Sequence, residues 1–142
     1  MADSLNREDR SKRMSGIRGR DTGPEMVVRK LVHSMGFRYR LHVASLPGKP
    51  DLVFPRRMKV IFVHGCFWHR HAAKSCRLAR LPKSRLDFWE PKLEGNRTRD
   101  RRIKLELKRL GWEVLTIWEC QLRNIAPVSR RVRSFLESDE ID

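Results

Sequence analysis

The stretch HGCFWHRHAAKSC, residues 64–76, holds three of the chain's five histidines and two of its three cysteines around a Phe67-Trp68 pair. Thiols and imidazoles so close together suit a borderline metal. Cys66, His71 and Cys76 have four residues between successive members, and Cys120 sits where a strand end could return it to the same place. Together they form a Cys3His set of the kind that holds tetrahedral zinc. There is no CxxC pair, and buried cysteines without a metal are common, so packing is the competing reading. A second chemistry lies just upstream. Asp51 opens one strand, while its partner strand ends at Val63-His64 with His69 just beyond. A carboxylate facing a carbonyl across a hairpin can hold Mg2+, and a nearby histidine can take a proton from water, as phosphodiester hydrolysis requires. Considered alone, Asp51 would be a turn residue. Glu25 alone would close a capping box with Thr22. His33 and His42 carry no signal beyond surface or core roles.

The elements that must position these residues follow from periodicity. Thr22 to Gly36 reads as a helix, with Pro24 in the first turn and Val28, Leu31, Val32 and Met35 on one face. Phe37, Tyr39 and Leu41 alternate with Arg38, Arg40 and His42, the period of a half-buried strand. After the loop SLPGKP, Asp51 to Phe54 and Met58 to Val63 pair as a hairpin, the second strand apolar enough to be covered on both faces. Residues 70–104 hold twelve basic and four acidic side chains. Pro82, Pro91 and Gly95 mark this stretch as a basic excursion, and a helix runs only from about Arg97 to Leu110. Trp112 to Trp118 reads as another buried strand, and Val128, Val132, Phe135 and Leu136 mark a C-terminal amphipathic helix. The order α-β-β-β-α-β-α predicts an α/β fold with a mixed sheet flanked by helices.

At 142 residues with 39% hydrophobic residues, the chain supports one modest core. The expected division is a basic arm over 1–21 and a single domain over 22–142. A net charge of +15 points to a polyanionic partner, nucleic acid before anionic membrane. No apolar run approaches the roughly 20 residues of a membrane span, which predicts a soluble, cytoplasmic protein. Phe67 and Trp68, together with Trp89 among Arg85, Lys92 and Arg97, are core residues on ordinary expectation. Adjacent aromatics in a basic loop can also wedge between bases.

The segments RSKRMSGIRGRDTGPE, SLPGKPDLVF, VIFVHGCFWHRH, FWEPKLEGNRTRDRR and LGWEVLTIWEC, in this order from residue 11 to about 122, resemble the very-short-patch repair (Vsr) endonucleases. The resemblance implies a restriction-endonuclease-like fold related to the PD-(D/E)xK nucleases. It also implies Mg2+-dependent nicking of double-stranded DNA 5′ of the thymine in T:G mismatches left by deamination of 5-methylcytosine. By the same resemblance Asp51 and the Val63 carbonyl hold Mg2+, His69 activates water with Asp100 orienting it, and His64 and Glu25 complete the metal-water shell. Cys66, His71, Cys76 and Cys120 match structural zinc ligands. Phe67, Trp68 and Trp89 match a wedge beside the mismatch, and Met14 and Ile17 match an arm entering the minor groove. A nucleoid-associated monomer, linked in function to a cytosine-5 methyltransferase and to mismatch-repair proteins, is the implied setting. The chain departs from the family in carrying Val63 where a threonine is usual, and in the four residues AAKS between His71 and Cys76. Two alternatives stand beside this reading: a related nickase of different specificity used in DNA defence, and an inactive zinc-stabilised DNA-binding module.

Overall fold

A computed structural model describes residues 23–67, 69, 76 and 85–138 of the chain. The elements run α1 (Gly23–Ser34), β1 (Arg40–Leu41), β2 (Leu52–Phe54), β3 (Lys59–His64), α2 (Leu86–Arg109), β4 (Glu113–Trp118) and α3 (Ile125–Glu137), with 3-10 turns at Pro55–Arg57 and Glu119–Arg123. They form one sheet in the order β1-β2-β3-β4. The first two pairings are antiparallel, and β3 and β4 run parallel with α2 in the crossover between them. The predicted order of elements and the mixed sheet are both present.

The sheet is covered on both faces because its side chains alternate. Leu52, Phe54 and Ile61 point to one face, where Val28 and Val32 of α1 and Val128, Val132 and Leu136 of α3 meet them. Val53, Val60 and Phe62 point to the other, against Leu107 of α2 with Ile103 packed alongside. Each such side chain contributes about 1.5–3 kcal/mol by leaving water. The three layers leave β3 covered throughout, as its apolar run predicted.

Three elements differ from expectation. The alternating segment at 37–41 pairs only at Arg40–Leu41; Phe37 and Tyr39 still turn inward against the core. The long helix begins at Leu86 rather than near Arg97 and passes through Pro91 and Gly95. An internal proline removes one ladder hydrogen bond and costs about 3 kcal/mol in an ordinary helix. Here Leu93, two residues along, is wholly buried, and Trp89 before it packs on Phe67, so tertiary contacts hold the turn that propensity alone would break. Finally, β4 is an edge strand with only Ile117 fully buried, because nothing pairs with its far side among the described residues.

The loop SLPGKP ends the gap between β1 and β2. Gly48 has φ +75, and a Cβ there would lie 2.5 Å from Ile103 Cγ2 and 3.3 Å from the Phe62 ring. The loop can therefore press onto α2 and β3 only with glycine at that position. Its far end delivers Pro50 and Asp51 to the start of β2.

Candidate active site

Two neighbouring residues at the end of β3 organise the site, because successive strand residues face opposite sides. Val63 faces α1. Its N–H donates a 2.7 Å hydrogen bond to Asp51 Oδ2. In an extended strand a residue's N–H and C=O leave by the same edge, so the Val63 carbonyl is also turned toward Asp51. Glu25, in the first turn of α1, is 2% exposed and reaches the same place. Its Oε2 lies 2.8 Å from His42 Nε2, and that nitrogen lies 3.8 Å from Asp51 Oδ1. One ligand atom from each of Glu25, His42 and Asp51 falls within 4.8 Å of the others. Burial, with Glu25 adding repulsion, pushes the Asp51 carboxyl up to about 7, although the Val63 hydrogen bond opposes the shift. A buried carboxylate beside a second acid, disfavoured as an anion, fits a site completed by a cation.

His64 faces the opposite side, toward α2. Its ring stacks on His69 at 3.8 Å between centroids and 3° between planes, and meets the edge of Trp118. Burial, reinforced by His69, pulls His64 down to about 3, so it stays neutral. His69 hangs on a turn in which its N–H donates to the Gly65 carbonyl at 3.1 Å. Its Nδ1 lies 2.6 Å from Asp100 Oδ2. A carboxylate accepts the Nδ1 proton and leaves Nε2 as the basic nitrogen, the arrangement a general base needs. Asp100 reaches His69 because Leu93, Asn96, Asp100, Ile103 and Leu107 recur at helical spacing along one face of α2.

The cysteines converge just beyond. Sulfurs of Cys66, Cys76 and Cys120 lie within 4.8 Å of one another and form no disulfide. Tetrahedral zinc with bonds of about 2.3 Å needs sulfurs about 3.8 Å apart, so this donor set fits. The Cys120 N–H donates to Cys66 Sγ at 3.3 Å, and Cys66 N–H donates to Glu119 Oε1 at 3.4 Å, tying the strand ends together. Burial pushes the Cys66 thiol far up and the Cys120 thiol up as well, which favours their protonated forms until a metal displaces the proton.

Phe67 and Trp89 meet edge to face at 5.3 Å. Beside them Phe88 is 45% exposed, with the Arg85 guanidinium 5.0 Å and the Lys92 ammonium 5.6 Å from its ring. An exposed aromatic between two cations suits a stacked, negatively charged polymer. Met14, Ile17, Trp68 and His71, singled out in the sequence, lie outside the described residues.

The structure thus brings Glu25 to Asp51 and Val63, and His64 to His69 and Asp100, as two groups of ligand-bearing side chains. His42 and Phe88 were missed. For His42 the placement follows from the register of β1 on β2, which the structure supplies. Arg40 opposes Val53 and Leu41 opposes Leu52, so the next pair is His42 with Asp51. The His42 N–H does donate to the Asp51 carbonyl, at 3.4 Å.

With that geometry in place, similarity to known proteins is informative. The profile of the family described as DNA mismatch endonuclease Vsr matches residues 2–75. The type II nicking enzyme V.XorIIP of Xanthomonas oryzae pv. oryzae is 49% identical over 96% of this chain and 98% of its own length. The DNA mismatch endonuclease Vsr of Escherichia coli K12 is 46% identical over 87% of this chain and 77% of its own. Among solved structures, the homing endonuclease I-Bth0305I catalytic domain superposes with a TM-score of 0.55 at 21% identity, covering 81% of this chain and 94% of that one. The likeness is one of fold, and it makes the three-layer sheet restriction-endonuclease-like.

Proposed function

Because the chain belongs to the DNA mismatch endonuclease Vsr family, we propose that it nicks double-stranded DNA 5′ of the thymine in T:G mismatches, using Mg2+. The observation that carries the cleavage chemistry is the pairing of two clusters on adjacent residues of β3. Asp51 and the Val63 carbonyl would hold the divalent ion, with Glu25 alongside. When bound, that ion would supply Lewis-acid stabilisation of charge developing on the scissile phosphate. His69 takes the proton of the attacking water at Nε2, and Asp100 fixes the ring and offsets the positive charge it gains. His64, neutral and stacked on His69, keeps that ring in plane without adding a competing charge.

Substrate recognition divides by element. Basic side chains along α2 and the N-terminal arm hold phosphates, a contribution that falls steeply with salt. Phe67, Trp68 and Trp89 enter the stack at a wobble pair that already unstacks more easily. Met14 and Ile17 take the minor-groove side. Cys66, Cys76 and Cys120, with His71, would hold zinc, which would tie the loop bearing both wedge and base to the end of β4. The setting consistent with this chemistry is repair of sites deaminated after cytosine methylation.

A second reading follows from the relative named as a type II nicking enzyme, a nickase working beside a modification system with a different sequence context. Both readings share one test of mechanism. Asp51→Ala should lose nicking by at least about a thousandfold while binding a T:G duplex within about threefold of the parent, measured by single-turnover cleavage and by anisotropy. Mg2+-dependent nicking at the parent rate by Asp51→Ala would remove Asp51 from the centre.

A further inference from the structure

His42 belongs to no part of the cleavage scheme just described, yet its side chain lies beside Asp51 and Glu25. It leaves β1 with φ 47, in the left-handed region that side chains adopt only where the surroundings hold them. Its side chain is 10% exposed. Among the described residues Nε2 has no hydrogen-bond partner, although Glu25 Oε2 lies only 2.8 Å away. A contact that short without hydrogen-bond alignment is what converging ligands produce, because their lone pairs aim at a shared third point rather than at each other. The donors also converge. Around an ion with bonds of about 2.1 Å, adjacent octahedral ligands lie about 3.0 Å apart and opposite ones about 4.2 Å. The 2.8 Å from Nε2 to Glu25 is close to the first value, the 3.8 Å to Asp51 Oδ1 falls between the two, and one donor atom from each of the three residues lies within 4.8 Å of the others.

We propose that His42 Nε2 is a direct ligand of the divalent ion held by Asp51, with Glu25 as the second carboxylate, so that the site holds Mn2+ more tightly than Mg2+. This rests on the reading of Asp51 as the metal-binding carboxylate. An imidazole donor is poorly matched to Mg2+, which prefers oxygen and water, and is better matched to first-row transition ions. Asp51 Oδ2 accepts the Val63 N–H, and Oδ1 is the oxygen 3.8 Å from His42 Nε2.

The test uses the full-length, zinc-replete protein with Mn2+ as the probe. Pulsed EPR of bound Mn2+ reads directly whether a histidine nitrogen is coordinated, and labelling the histidines with 15N identifies the coupling as histidine. The parent should show that coupling and bind Mn2+ at least tenfold more tightly than Mg2+ in competition. His42→Gln should lose the coupling and about tenfold in Mn2+ affinity, with Mg2+ affinity changed less than about threefold. His69→Gln should keep the coupling. Persistence of the coupling in His42→Gln, or its loss in His69→Gln, overturns the proposal. If His42→Gln does not fold, the parent decides, because Asp51-dependent Mn2+ binding without histidine coupling equally overturns it. Asp51→Asn separates the two readings: unchanged Mn2+ binding in that variant would mean that the underlying assignment of Asp51 had failed.

Discussion

Asp51 and His64 are displaced in opposite directions by one cause, burial, and their effects on stability oppose each other. Burial holds Asp51 at about 7 in the folded state against an ordinary carboxyl value of 3.8, so between pH 4 and 7 the folded state holds a proton that the unfolded state has released. Its contribution therefore falls as pH rises, by about 1.4 kcal/mol per unit. His64 sits at about 3 against 6.5, so between pH 3 and 6.5 the unfolded state holds the extra proton and stability rises with pH by a similar slope. From pH 4 to 6.5 the two slopes cancel. The metal-free parent should show little dependence from this pair, whereas metal-free Asp51→Asn should gain about 1.4 kcal/mol per pH unit between 4 and 6, measured by urea unfolding. A variant as flat as the parent would contradict the environments assigned to both residues. At this scale the types Asp, His and Cys marked in the sequence the residues that the structure gathers into clusters. His42 was the exception, because a histidine in an alternating polar position looks like any other outward residue until the register of β1 against β2 is fixed.

At the scale of elements, the C-terminal helix is held by a buried lysine. Lys59, at the start of β3 and 0% exposed, places Nζ 2.6 Å from the Phe135 carbonyl, 2.7 Å from the Ser138 carbonyl and 2.8 Å from Ser138 Oγ. Arg57 Nη1 adds a 2.7 Å bond to the Leu136 carbonyl. The last carbonyls of α3 have no partners within the helix, and cations are favoured at that end. Lys59→Met keeps most of the apolar stem but removes these bonds, and should cost about 2–4 kcal/mol in denaturant unfolding while leaving the Asp51 cavity intact. A cost below about 0.5 kcal/mol would mean that apolar packing alone docks α3. Periodicity found α3 and the covered strand β3 because each obeys a clean repeat. It misplaced the start of α2 by about eleven residues, since Pro91 and Gly95 read as breakers and their compensation, the burial of Leu93 and the Trp89 contact, is long-range.

For the whole molecule, both faces of a small sheet are covered, and the cysteine cluster gathers at its end. Cys66, Cys76 and Cys120 come together from three parts of the chain, so removing one ligand should both release the metal and loosen the loop after β3. Cys120→Ser should lose its zinc by elemental analysis and unfold several degrees lower. Full zinc content in that variant would exclude Cys120 as a ligand. The fold class was legible from the order of elements, and no described helix is long and apolar enough to cross a membrane. The separation of the site into two clusters was not legible, because it arises from the opposite facing of Val63 and His64, which acts only once α1 and α2 cover opposite faces of the sheet. The combined scheme makes one demand on substrate: a distortable T:G pair must reach the cleavage centre where a matched pair does not. Mapping nicks at nucleotide resolution on T:G, T:A and C:G duplexes of one sequence, under single turnover with Mg2+, tests this most directly. The account predicts a single cut 5′ of the mismatched thymine, at least about a hundredfold faster than on either matched duplex. Equal rates on all three duplexes, or cutting elsewhere, would contradict it.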